Sequence, residues 1–235
     1  MKLITISAAI ALLGTGCAFN CITANGPVET RTVEVAPFTR ITVDGSTRVI
    51  VEKADVQTIA VTGQSQVIDL LETKVGGGTW KIRTSKCWNS DTTLTVHIGT
   101  PAPLSSIAVS GSADVDAGNV FGNGGIELAT SGSGSIRVTE LNAKSLEIGI
   151  SGSGDITVRG TSSELEGSIS GSGNLHAVDL AANAAQLEIS GSGSATVKAI
   201  STLDVSVSGS GEVRYSGKPD LRTSISGSGS VMPIQ

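Results

Sequence analysis

Seven times between residues 110 and 229 the chain writes Ser-Gly-Ser followed by Gly or, in the first instance, Ala. The motif begins at Ser110, Ser131, Ser151, Ser170, Ser190, Ser208 and Ser226, at intervals that drift between 18 and 21 residues. Self-similarity at such a period specifies a stack of coils, each resting on its neighbours, rather than a globule built around one centre.

Aligning the coils on this motif gives each position a role. One residue before it stand Val109, Thr130, Ile150, Ile169, Ile189, Val207 and Ile225, and three before it stand Ile107, Leu128, Ile148, Gly167, Leu187, Val205 and Thr223. The residues between them are small or polar: Ala108, Ala129, Gly149, Ser168, Glu188, Ser206 and Ser224. A period of two marks a strand with one face turned inward. The rule resumes after the motif. Asp114, Ser135, Asp155, Asn174, Ser194, Glu212 and Ser230 are polar, and Val115, Ile136, Ile156, Leu175, Ala195, Val213 and Val231 follow them as an apolar column.

Each coil therefore reads as strand, glycine corner, strand. Strands that recur this closely, without a helical period between them, can pair only with their equivalents one coil on, in parallel and about 4.8 Å apart. The fold class is all-β, a single-stranded parallel β-helix, or β-solenoid, right-handed by the crossover rule. The corner glycines are Gly111, Gly132, Gly134, Gly152, Gly154, Gly171, Gly173, Gly191, Gly193, Gly209, Gly211, Gly227 and Gly229. They are read as residues that take positive φ without a Cβ clash. Like positions lie above one another, so Ser112, Ser133, Ser153, Ser172, Ser192, Ser210 and Ser228 are expected to form a ladder of hydroxyls. A narrow core of stacked columns has little room for rings, and only 3% of the 235 residues are aromatic while 30 are glycine.

Residues 1–18 read as a secretory signal peptide: Met1-Lys2, an apolar run from Leu3 to Leu13, then small residues. Cys17 follows Gly16, as at a lipoprotein cleavage and acylation site, although Gly14 replaces the usual aliphatic residue three places before it. Cleavage after Ala18 fits equally. The protein is thus expected to be exported, to the periplasm, outer membrane or cell surface of a bacterium, meeting a membrane only through a lipid on Cys17. In an oxidising compartment Cys21 and Cys87 would close a disulfide; otherwise they are two free thiols. A linker, 19–34, leads to the solenoid domain, 35–235. Its coils are irregular over 35–105, where about three further coils are expected, with an insertion at 75–91 that breaks register and caps one end. They are regular over 106–235.

The chain resembles the bacterial putative auto-transporter adhesin, head GIN domain family. The likeness rests on Val35-Ala-Pro-Phe38-Thr-Arg-Ile41-Thr-Val43, on Leu104-Ser-Ser-Ile107-Ala-Val109-Ser-Gly-Ser112, and on the repeats Gly-Ser-Gly-Asp-Ile (152–156) and Gly-Ser-Gly-Asn-Leu (171–175). It spans about residues 35 to 230. The resemblance implies a parallel β-helix of the pectin-lyase kind, no catalytic residues and a role in cell adhesion.

The residues themselves argue against enzyme chemistry. A polysaccharide lyase would need clustered carboxylates and a base, but Asp114 and Asp155 lie two coils apart with Ser135 between them, about 10 Å at the strand spacing. The next column mixes Asp116, Arg137, His176 and Arg214. Calcium needs six to eight oxygens per site, and only 114 and 155 of the positions after the corner hold Asp. Two histidines cannot serve as bases to fourteen corner serines. No cofactor or metal is expected. The net charge of −5, without a basic run, leaves nucleic acid without its usual Lys and Arg contacts. The expectation is a non-enzymatic rod, an adhesin for an unknown glycan or protein; the alternatives are an envelope scaffold and a degenerate pectin-lyase-like enzyme.

Overall fold

The computed structural model describes residues 21–234. Strands make up 69% of it, and the one helix among the described residues is the four-residue Ser65–Ile68.

The columns run as the repeat dictates. Ile107 faces Leu128, which faces Ile148, then Gly167, Leu187, Val205 and Thr223, all in parallel register. Past the corner, Val115, Ile136, Ile156, Leu175, Ala195, Val213 and Val231 form the second column. Ile136, Ile156, Leu175 and Val213 are buried, while Arg137, His176 and Arg214 stand outside and Thr157 is half-buried. Columns compensate for one another: a Cβ on Gly167 would lie 2.8 Å from Leu187 Cδ2, so the large residue of one coil fills the gap its neighbour leaves.

The coils have a third, shorter wall that a two-strand reading omits. Residues 141–143 pair with 160–162, and these with 180–182, after a register shift that bends the chain. Its inward side carries Leu141, Ala143, Leu180 and Ala182, together with Ser162, whose hydroxyl donates to Glu164 O at 2.6 Å. Short strands with small residues explain why the hydrophobic pattern alone did not announce this wall.

At the corner the two glycines have different causes. Gly171 has φ of 121°, and a Cβ there would lie 2.5 Å from Gly152 O. Gly173 does not share that backbone; it points inward, where a Cβ would meet Gly154 O at 2.4 Å and Ile150 Cγ2 at 2.5 Å. The same split holds in the six motifs with two glycines: Gly132, Gly152, Gly171, Gly191, Gly209 and Gly227 take positive φ and the second glycine does not; in the first motif Gly111 takes positive φ and Ala113 stands at the second place. Positive φ therefore accounts for the first glycine only, and lack of space for the second. Between them the Ser172 N–H donates to Gly152 O at 2.8 Å, tying one corner to the next.

The N-terminal region departs from sequential stacking. Strand Arg40–Gly45 lies between Thr79–Ile82 and Ser106–Gly111, and Arg48–Lys53 lies between Thr95–Thr100 and Asp114–Ala117. The chain thus lays one coil, moves outward to lay the next, and returns past the first to begin the regular repeats. This replaces the three consecutive coils expected between Asp44 and Ser110. Thr58–Gln64 pairs antiparallel with both Thr95–Thr100 and Val28–Thr32, and Val75–Gly76 pairs antiparallel with Thr79–Ile82.

The segment read as breaking register keeps it at Thr79–Ile82: Trp80 and Ile82 continue the columns of Ile41 and Val43. Trp80 is fully buried, 5.5 Å from the Phe38 ring centroid, and its Nε1 donates to Glu72 O at 3.0 Å. Val67 and Ile68 pack into the same core. A disulfide joins Cys21 to Cys87 with Cα atoms 4.6 Å apart, next to the parallel pair Ile22–Thr23 and Trp88–Asn89.

Candidate binding surface

With the interior filled by columns, any partner meets the outer faces. The face entering the corner presents three outward columns. Four residues before each motif stand Glu127, Glu147, Glu166, Gln186, Asp204 and Arg222, in line with the buried Ser106; two before it stand residues from Ala108 to Ser224 that are small except for Glu188; and the motif serines form the third. Large, small and medium columns side by side make a shallow relief. One groove of about 360 Å³ runs over Ser145, Glu147, Glu164, Glu166, Gln186 and Asp204. Another, of about 370 Å³, runs over Ala108, Ala129, Gly149 and Ser168.

Glu127, Glu147 and Glu166 are direct partners on successive coils. Like charges in that position destabilise a sheet, and none of the three has a cation within ion-pair distance among the described residues. This column was missed in the sequence although its signal was there, one step beyond the positions aligned.

On the face after the corner the carboxylates of Asp114, Asp116 and Asp155 are engaged by neighbouring coils. Ser135 Oγ donates to Asp114 Oδ1 at 2.5 Å, Asn174 Nδ2 to Asp155 Oδ1 at 2.8 Å, and Ser194 Oγ to Asn174 Oδ1 at 2.7 Å. In the neighbouring column Asp116 lies between Arg48 at 3.1 Å and Arg137 at 3.6 Å. The carboxylates considered for lyase chemistry are thus separated and engaged by neighbours. His176 is flanked in register by Thr157 and Thr196, and His97 by Ile50 and Ala60. Among the described residues no group of three or more His, Cys, Asp or Glu could hold a metal ion.

The expected hydroxyl ladder from Ser112 to Ser228 is an exposed ridge whose coils are joined through backbone N–H groups. The side-chain ladder lies two residues on, in the column of Asp114. Cys17 falls outside the described residues. No helix among those described is long and apolar enough to cross a membrane.

The protein is a β-solenoid with filled columns and repetitive outer faces. The model of the family described as putative auto-transporter adhesin, head GIN domain, matches residues 37–219, and the chain belongs to that family. Among solved structures it is similar to one described as a putative adhesin from Bacteroides fragilis, at 23% identity and a TM-score of 0.81, covering 91% of this chain and 100% of that one. A structure from Parabacteroides distasonis described as a putative lipid binding protein matches at 27% identity and TM-score 0.75, over 91% of this chain and 99% of that one. A putative adhesin from the same organism matches at 25% identity and TM-score 0.73, over 92% and 100%. Comparison with curated proteins finds no match. The family and these structures are described as adhesins or a lipid-binding protein, not as enzymes.

Proposed function

We propose that the protein is an exported, non-enzymatic adhesin that binds glycan or protein through the outer face entering the glycine corner. The observation that supports this reading is the asymmetry of the two outer faces. On the face after the corner the carboxylates Asp114, Asp116 and Asp155 are engaged by neighbouring coils, whereas the face entering it carries the stacked, unpaired Glu127, Glu147 and Glu166 beside a column of mostly small residues. Polar groups left free on a rigid scaffold at a 4.8 Å repeat suit a ligand met by many weak contacts in series.

Binding of the purified protein to glycan arrays and to immobilised envelope and host surface proteins tests this. Gly149→Tyr fills the groove; its φ is ordinary and a Cβ there meets only Ala129 Cβ at 4.0 Å, so the fold tolerates it. Gly149→Tyr and Glu147→Lys should abolish binding with an unchanged melting temperature, and Thr196→Tyr on the other face should leave binding intact. No binding to either panel would contradict the adhesin reading in favour of a scaffold. Pectin, alginate and heparin-like polymers should stay intact with Ca²⁺ present, and cleavage lost in Asp155→Asn would restore the lyase alternative.

A further inference from the structure

The two ends of the solenoid are built differently. At the N-terminal end antiparallel strands, the helix Ser65–Ile68 and the Cys21–Cys87 disulfide cover the columns. At the other end the last coil, made of Asp220–Gly227 and Ser230–Pro233, pairs only inward, with Ser194–Gly209 and Glu212–Ser216. Its column residues are open: Leu221 is 37% exposed and Ile225 44%, against 1% for Val207 one coil in.

The backbone of this edge is unsatisfied in a definite pattern. In internal coils the residue four before the motif sends its N–H back to the preceding coil, as Glu127 does to Ser105 O at 3.0 Å. Arg222 occupies that position, so by alternation the amides of Leu221, Thr223 and Ile225 aim at the free edge. The three residues with inward side chains thus also carry the unpaired ladder groups.

We propose that this end is covered by the same end of a second copy, as a two-fold dimer in which Asp220–Gly227 pairs antiparallel with itself. The surface to be matched is the coil-to-coil interface already repeated through the chain, and a copy of the last coil presents the same apolar column and the same unpaired amides. Head-to-tail stacking is blocked, because the opposite end is capped. Charge narrows the register. A two-fold at Arg222 opposes like charges and is disfavoured. One at Leu221 sets Pro219, which has no N–H, at a hydrogen-bonding position. A two-fold at Thr223 separates the arginines and moves Pro219 to the end of the pairing, against Gly227; unlike one at Ser224 it also sets Leu221 against Ile225 of the other copy, with Arg222 meeting Ser224 and Asp220 meeting Ser226. Residues 217–234 fall short of the about 20–30 residues a side of a standard interface, so the dimer forms in a concentration-dependent way.

Sedimentation and small-angle scattering of the protein in a Cys17→Ser background test this. A dimer fraction that rises with concentration is expected, with a longest dimension close to twice the monomer's. Ile225→Asp, at a position already half open, should give monomer at every concentration with an unchanged melting temperature. Thr223→Cys should yield a covalent dimer on oxidation, and Val56→Cys, exposed far from this end, should not. A monomer throughout the concentration range, or a dimer that persists in Ile225→Asp without cross-linking through Thr223→Cys, overturns the proposal. Neither result bears on ligand binding by the lateral face.

Discussion

The regular coils and the N-terminal region are two solutions to one problem, how to end up with every apolar residue in a column. From Ser106 onward each strand lies beside its equivalent in the next coil along the sequence, and the columns are mostly Ile, Val, Leu, Ala and Gly. Before Ser106 the order is scrambled: residues 79–100 stack outside residues 40–53, on the side away from Ser106, and rings enter the core at Phe38 and Trp80. The regular part is held by nearest-neighbour interfaces that any similar coil could supply. The N-terminal part is a cap, specified by contacts between residues far apart in sequence and closed by a disulfide of sequence separation 66. The difference teaches that a repeat can be extended locally but can be terminated only by something that is not the repeat.

That contrast can be broken at either side, and the cap should be the more fragile. Trp80→Ala removes the largest buried side chain of the cap, and such truncations cost about 3–5 kcal/mol. Amide hydrogen exchange should show protection lost in residues 22–104 while residues 125–216 keep theirs. Changing both Cys21 and Cys87 to Ser removes a long loop closure, for which about 2–4 kcal/mol is usual, and chemical denaturation should again register it first in the cap. In the coils, Gly171→Val forces a β-branched residue to positive φ and against Gly152 O; a midpoint shift of about 2–3 kcal/mol is expected from the strain. Gly173→Ala adds a methyl against Ile150 and Gly154 O, and overpacking of that kind costs about 1–3 kcal/mol. Ser172→Ala, on the exposed ridge, should stay within about 0.5 kcal/mol. Equal costs at Gly171 and Ser172 would show that the corner is not set by backbone geometry.

The sequence carried the regular coils because each column position recurs seven times at a fixed offset from Ser-Gly-Ser. Ile136 and Ile156, and likewise Gly171 and Gly191, occupy equivalent places and share one physical cause. The cap offers no second copy to align, and that Arg40–Gly45 has neighbours on both sides drawn from later in the chain is a non-local fact. Trp80 illustrates the loss: in sequence it sits in a glycine-rich insertion, and only the pairing of Thr79–Ile82 with Arg40–Gly45 shows it to be a column residue. The two roles of the corner glycines were also hidden, since positive φ and lack of space select the same residue. The outer face was only partly legible. The aspartates after the corner drew attention as carboxylates, yet Asp114 and Asp155 serve ladders and Asp116 an ion pair. The unpaired glutamates lay just upstream of the aligned positions.

Excising one coil tests most directly whether the regular part is a stack of equivalent units under a unique cap. Removing residues 152–170 joins Ser151 to Gly171 and restores the motif, because Ser151 pairs with Ser170 and Gly152 with Gly171 in the intact protein. The shortened chain should fold, keep the Cys21–Cys87 disulfide and melt in one cooperative transition at a modestly lower temperature. A chain that fails to fold, or that loses the disulfide and the burial of Trp80 at the far end, would contradict the separation of cap from coils.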